Sequence, residues 1–340
     1  MTRRRYATSA LCCLVIGLAL AACSNSTALP APLPTLGEEG LAAPEGGAPE
    51  AVPTEPPTLA PESSWIQPGV PQTIADRVGP ALAQAGFVPS DSADGATLRV
   101  VLNPGPDAVL AAEWIYVVAA PFPTVPDEVS WAGLQSYWLT GGAAALPGFE
   151  TPPQIVISTG VADLLIAQVG PPAGGLPLNM GDMGGLVDIA WSVRPSISVL
   201  PFEALGPRWK TLSLDGQSAL DKALNTTTYP LTIRVGVLAN SEAAMQAATM
   251  LQGSGAWQLT NRDPVRLTNV TMTGVTALVR ATASQMVVKG VDFPAEQILP
   301  FLAEADILHT SNEVSFTPQC PAPKWEGPPL DFCSQPEHFS

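Results

Sequence analysis

Four runs of the chain, "EWIYVVAAPF" from Glu113, "QIVIST" from Gln154, "SISVLPF" from Ser196 and "YPLTIRVGVLA" from Tyr229, are apolar over nearly the length of a strand. A strand with one face in water alternates polar and apolar residues. Near-continuous apolar runs belong to a sheet covered on both faces. Between them lie stretches of helical character. "TIADRVGPALAQAGF" places Ile74, Val78, Leu82 and Phe87 at near-helical spacing despite Pro80, "GVADLLIAQV" follows the second strand, and "SEAAMQAATMLQ" is amphipathic with Ser241 as its N-cap. "ATLRVVL", "VDIAWS" and "KTLSL" read as further short strands. Such alternation predicts an α/β domain, assigned to residues 65–262. The glycine-rich "NMGDMGGL" at 179–186 has neither a Walker lysine nor GxGxxG spacing, and reads as a flexible loop. Trp114, Trp131, Trp138 and Trp191 read as core residues before pocket linings.

The N-terminus says where the chain goes. Arg3, Arg4 and Arg5 precede the short apolar run "LCCLVIGLALAA", the pattern of a secretory signal and too short for a membrane span. The run ends Leu20-Ala21-Ala22-Cys23, which resembles the bacterial lipobox. That resemblance implies lipidation of Cys23, a signal over residues 1–23, and anchoring on the extracytoplasmic side of a membrane. Residues 24–64, rich in Pro, Ala, Gly and Glu, bury too little to offset chain entropy and read as a disordered, extended linker.

Without the signal the chain keeps 12 basic side chains against 30 acidic, a formal charge of −18. Such a surface repels phosphate backbones and anionic headgroups, so nucleic acid is excluded as a partner and membrane attachment falls to the lipid. Beyond the signal and Cys23 only Cys320 and Cys333 remain. An even pair in an oxidising compartment reads as a disulfide. Metal binding is the other reading, with no CxxC or histidine spacing beside it. A disulfide closing a 14-residue loop contributes about 3 kcal/mol on a chain-entropy basis.

After Asn261 the composition changes. "LTNVTMTG" reads as a strand ending at Gly274, "VTALVRATASQMVVKG" as a helix with Gly290 as left-handed cap, "FPAEQILPFLAEA" as a second helix with Pro294 in its first turn, and "DILHTSNE" as a strand. "FCSQPEHFS" reads as the start of another helix. The polar cluster His309, Ser311, Asn312 and Glu313 then falls at a strand's carboxyl end, where open α/β sheets bind ligands.

Two stretches resemble known families. "WIYVVAAPFPTVPDEVSWAGLQSYW" and "DIAWSVRPSISVLPFEALGPRWKTLSLDG" running on to "YPLTIRV" resemble the type II periplasmic substrate-binding fold, which implies two lobes and a return crossing strand. "MTGVTALVRATA" and "LAEADILHTSNEVSF" resemble the opening of the CapA-type capsule and poly-gamma-glutamate synthesis proteins, which implies the first part of a metallophosphatase-like domain over 263–340. Gly274, Leu278, Arg280 and Glu313 match that family's motifs, and Ser311 and Asn312 fall where it has Asn and Leu. Val275 stands where its metal-binding aspartate belongs, and no Gly-Asn-His motif follows, so the domain reads as C-terminally incomplete.

The expected fold is thus a two-lobed periplasmic-binding-like α/β domain followed by the first part of a metallophosphatase-like α/β domain. The expected role is that of an anchored lipoprotein in capsule or poly-gamma-glutamate synthesis or handling, without a complete catalytic site. Glu313, Asn312 and Arg280 are the candidate site residues, suited to hold an anionic or amide-rich polymer. No cofactor is expected, and a divalent metal only with residues beyond this chain. A solute-binding lipoprotein serving a transporter with a small ligand is the alternative, and a metal-dependent phosphoesterase the second.

Overall fold

A computed structural model describes residues 61–142, 146–328 and 330–339. The secretory signal, Cys23 and most of the linker lie outside the described residues.

In chain order the first half runs β1 (Ser63–Ile66), α1 (Gln72–Gln84), β2 (Val88–Pro89), β3 (Leu98–Leu102), β4 (Leu110–Pro121), β5 (Glu128–Val129), α2 (Trp131–Thr140), β6 (Gln154–Ile157) and α3 (Thr159–Val169). It continues with β7 (Leu178–Met180), α4 (Leu186–Ser192), β8 (Ser196–Pro201), β9 (Trp209–Leu214), β10 (Thr232–Ala239) and α5 (Glu242–Gly253). Among the described residues the first strand starts at Ser63, inside the 24–64 stretch read as linker.

These strands join in one ten-stranded sheet whose two lobes share one design, with β5 paired to β9 at its edge. The first lobe has the order β2-β1-β3-β10-β4, with β1, β2 and β3 parallel and β10 antiparallel to both its neighbours. The second has β7-β6-β8-β4-β9, with β6, β7 and β8 parallel and β4 antiparallel to β8 and β9. In each, the strands run second, first, third, then an antiparallel insert, then fourth. The two inserts are exchanged between lobes. β4 pairs with β10 through Leu110–Ile115 and then with β8 and β9 through Tyr116–Pro121, so one strand of about 40 Å serves both lobes. The chain returns through residues 215–231 into β10.

Both faces of the shared strand are covered: Trp114 through Ala120 are all buried, which is why this stretch is apolar without alternation. Helix α1 buries Ile74, Val78 and Leu82, spaced one turn apart, and keeps Pro80 on its exposed side. Helix α5 is capped as expected, the Ser241 Oγ accepting from the Ala244 N–H at 3.0 Å.

Beyond residue 262 come β11 (Val270–Thr276), α6 (Arg280–Lys289), α7 (Leu299–Ala303), β12 (Ile307–Asn312), β13 (Ser315–Phe316) and β14 (Cys333–Ser334). β11 and β12 form a parallel pair separate from the large sheet, and so do β13 and β14. Val279, Ala283, Met286, Val314 and Cys320 are buried outside the main core cluster, and Cys320 is bonded to Cys333. The strand–helix–helix–strand order over 270–312 agrees with the sequence reading.

Several local expectations need correction. "VDIAWS" is helix α4, not a strand: Leu186 and Ala190 are buried one turn apart, and a six-residue apolar run carries no period that separates the two. β11 does not stop at Gly274. That glycine, at φ +72, sits in a register shift between Met272 and Val275, and pairing resumes through Thr276. Helix α6 accordingly begins at Arg280 rather than Val275. Gly290 does end it, but at φ 106 and ψ 159, a mirror-extended conformation open to glycine rather than the left-handed helical one. The second helix shrinks to α7, its start set by Pro300, with turns over 291–298. "FCSQPEHFS" forms β14 and a 3-10 turn, with Ser334 Oγ 2.8 Å from the buried His338 Nδ1.

Candidate functional site

The carboxyl ends of β1, β6 and β7 each lead into a helix, and these turns face one another across the crossing strands. From the first lobe come Pro71, Gln72, Thr73 and Asp76 at the start of α1. The second contributes Ser158, Thr159, Gly160 and Val161 at the start of α3, and Gly181, Asp182 and Met183 ahead of α4. Tyr116 of β4 and Glu203 after β8 complete the wall of a cleft of about 420 Å³. This is the place where open α/β sheets take ligands.

Close approach of the lobes is built into the backbone. Gly69, at φ +90 in the turn before α1, lies so near α3 that a Cβ would meet the Leu164 Cα at 3.0 Å. Only glycine fits there. Neither α1 nor α3 has a side-chain cap on its first turn, so the amino ends of both helices open toward the cleft.

The polar groups fall into two kinds. Glu203 is committed to structure: its Oε1 accepts from Thr73 Oγ1 at 2.9 Å and from the buried indole of Trp114 at 3.0 Å, and its Oε2 accepts from the Asn261 amide. Asn261 also bonds both the N–H and the C=O of Ile115, clasping β4 where it passes between lobes. The others face the opening. Asp76 accepts from Gln72 at 2.6 Å, while the Asp182 carboxylate has no partner among the described residues. Tyr116 is 3% exposed, yet its hydroxyl has no hydrogen-bond partner among the described residues. Burial, with Glu203 adding to it, pushes that hydroxyl far above its ordinary range.

Tyr229, 3% exposed on the return crossing, is raised likewise by burial, against a lowering influence from Arg262. For both tyrosines the folded state disfavours the phenolate, so their stabilisation is full below about pH 10 and is lost as pH rises past it. Between pH 10 and 11 each should remove about 1 kcal/mol of stability. Melting curves of Tyr116→Phe and Tyr229→Phe over pH 8–11 should show a shallower alkaline decline than the unaltered protein. Parallel declines in all three would refute this.

The residues singled out from sequence lie elsewhere. Arg280, at φ 49, lines a small pocket over the disulfide loop with Lys324 and Asp331; neither Asn312 nor Glu313 lines it. Asn312 closes on its own loop, its Nδ2 donating to the Val314 C=O at 2.7 Å. Glu313 and His309 are exposed, His309 standing opposite Met272 in the sheet. Val275 is paired with Ser311. Of the tryptophans, Trp114 and Trp138 are core, Trp131 packs at its margin, and the Trp191 ring has the Arg194 and Arg208 guanidinium groups over it at 4.9 and 5.3 Å. The glycine-rich 179–186 stretch is the turn from β7 into α4, so the segment read as a mere loop lines the cleft. Sequence reasoning missed Thr73, Asp76, Tyr116 and Asp182. The available signal was small polar residues at each helix start following an apolar strand, "IST-G" above all.

No protein-family model matches the chain, and no curated protein is similar to it. Among solved structures it is similar to an ABC-type phosphate transport receptor from Vibrio cholerae, at TM-score 0.44 and 9% identity over 57% of this chain and 95% of the other. PstS from Borrelia burgdorferi gives TM-score 0.41 and 9% identity over 58% and 96%. A reduced form of OxyR from N. meningitidis gives 0.31 and 10% over 56% and 92%. None of these three is a capsule-synthesis protein or a metallophosphatase. The two-lobed architecture rests on the strand order, not on these scores.

Proposed function

We propose that the protein is an extracytoplasmic solute-binding lipoprotein, held to a membrane by lipid on Cys23, that takes a small ligand between its lobes. The observation that carries the reading is the repeated strand order of the two lobes, joined by two crossings, with a cleft at the strand ends where α1 and α3 begin. The type II periplasmic-binding resemblance of the sequence supports it. Among the described residues no helix is long and apolar enough to cross a membrane, and the lipobox supplies an attachment that needs none. The boundary of the binding unit falls after Arg262, whose guanidinium bonds back to the return crossing.

The CapA-type reading of residues 263–340 ranks below it, and the phosphoesterase reading with it. Val275 occupies the position of that family's ligand, and Arg280 and Glu313 do not share a pocket.

The test is closure. Dialysis of the purified protein against a small-molecule extract of growth medium, followed by mass spectrometry of what it retains, should recover a bound solute. Its addition should reduce the radius of gyration seen by small-angle X-ray scattering. A protein that retains nothing and keeps its dimensions would count against the binding reading.

A further inference from the structure

The cleft carries a charge pattern that narrows its ligand. Three carboxylates line it, Asp76, Asp182 and Glu203, and none of its lining residues is lysine, arginine or histidine. The Glu203 carboxylate has three donors of its own and that of Asp76 one, but the Asp182 carboxylate has none among the described residues. No guanidinium or ammonium stands ready to neutralise an incoming anion. Like charges repel strongly at close range in a partly desolvated cleft, so a dianion here meets a barrier from every side chain that is charged. The chain's formal charge of −15 points the same way at long range.

Two further features call for an acceptor oxygen on the ligand. The uncapped first turns of α1 and α3 present N–H groups and the positive ends of their dipoles. Tyr116, 3% exposed on the cleft wall, keeps a neutral hydroxyl with no partner among the described residues. A ligand atom that pairs with it satisfies a donor that the protein itself leaves open to the cleft.

Resting on the solute-binding reading, we infer that the ligand is a small zwitterion bearing an ammonium group, of amino-acid size, and not inorganic phosphate. Its ammonium lies against Asp76 and Asp182. Its carboxylate or other acceptor oxygen takes the N–H groups at the start of α3 and the Tyr116 hydroxyl.

The experiment is calorimetric titration of the purified protein with the twenty free amino acids and glycine betaine, and separately with inorganic phosphate, at pH 7. At least one of the zwitterions should bind saturably and phosphate should not. Asp182→Asn and Asp76→Asn, each checked for an unchanged melting temperature without ligand, should weaken that binding tenfold or more. Tyr116→Phe should weaken it less. Saturable phosphate binding without zwitterion binding, or zwitterion binding indifferent to both aspartate variants, would overturn the ligand class while leaving the solute-binding reading in place. If no zwitterion binds while the dialysis experiment recovers a different solute, the class again falls alone. Silence in both experiments removes both.

Discussion

Replacing Arg262 by methionine is expected to destabilise the protein by about 2 kcal/mol, the cost of leaving the buried Ala219 carbonyl and the part-buried Asp221 carbonyl unpaired, less what is regained by no longer burying a charge. Arg262 is 5% exposed. Its Nε donates to the Ala219 C=O at 2.8 Å, its Nη2 donates to the Asp221 C=O, and its guanidinium lies 5.7 Å from the Phe202 ring. Burial pulls its pKa down, against the opposing influence of Asp221 and Tyr229. The group therefore sits where charge is not favoured by solvation, and persists because the return crossing offers it oxygen. Methionine keeps the packing volume and supplies no donor. The urea midpoint at pH 7 reads the effect, with Arg262→Lys as control: one ammonium cannot reproduce the fork, so its loss should be partial. An unchanged midpoint in Arg262→Met would show that water replaces the guanidinium freely.

Gly236→Val should be more damaging still, costing about 3 kcal/mol, for an opposite reason: overfilling. Gly236 lies in β10 with Val101 of β3 on one side and Ala111 of β4 on the other. The turn after β3 folds Pro104 over it, so that a Cβ would stand 2.5 Å from the Pro104 Cγ and 2.9 Å from the Leu110 carbonyl oxygen. The proline could swing away, but the carbonyl belongs to the neighbouring strand. Either the turn lifts or the β10–β4 ladder opens. Thermal unfolding should show the loss, and Gly236→Ala should fall between. A valine variant as stable as the parent would mean that the 103–109 turn is free to move.

The two α/β lobes were legible because their central strands are buried on both faces. Val117, Val118, Ile155, Val199 and Val235 sit in runs that water would not tolerate, and no tertiary knowledge is needed to see it. α4 was not legible, because Leu186 and Ala190 supply a single helical repeat within its seven residues. The cleft was not legible either. Thr73, Tyr116, Ser158 and Asp182 are far apart in sequence and belong to no local motif; folding brings them together through β4 and the starts of α1 and α3. The opposite happened at His309–Glu313. Five consecutive residues suggested a site, but strand geometry points neighbours to alternate faces, and the arginine thought to join them lines another pocket.

The exchange of β4 and β10 between the lobes also sets an order of assembly. The second lobe uses only residues between Leu110 and Leu214, a continuous stretch whose last strand is β9. The first lobe's β3 and β4 are not neighbours; β10 stands between them. As the chain emerges from its amino end, the second lobe can complete its sheet while the first still holds an open slot between β3 and β4. That slot remains unfilled until Ala239 has followed, and until then two strand edges near the amino end stay unpaired. The half of the molecule that is made first is the half that finishes last.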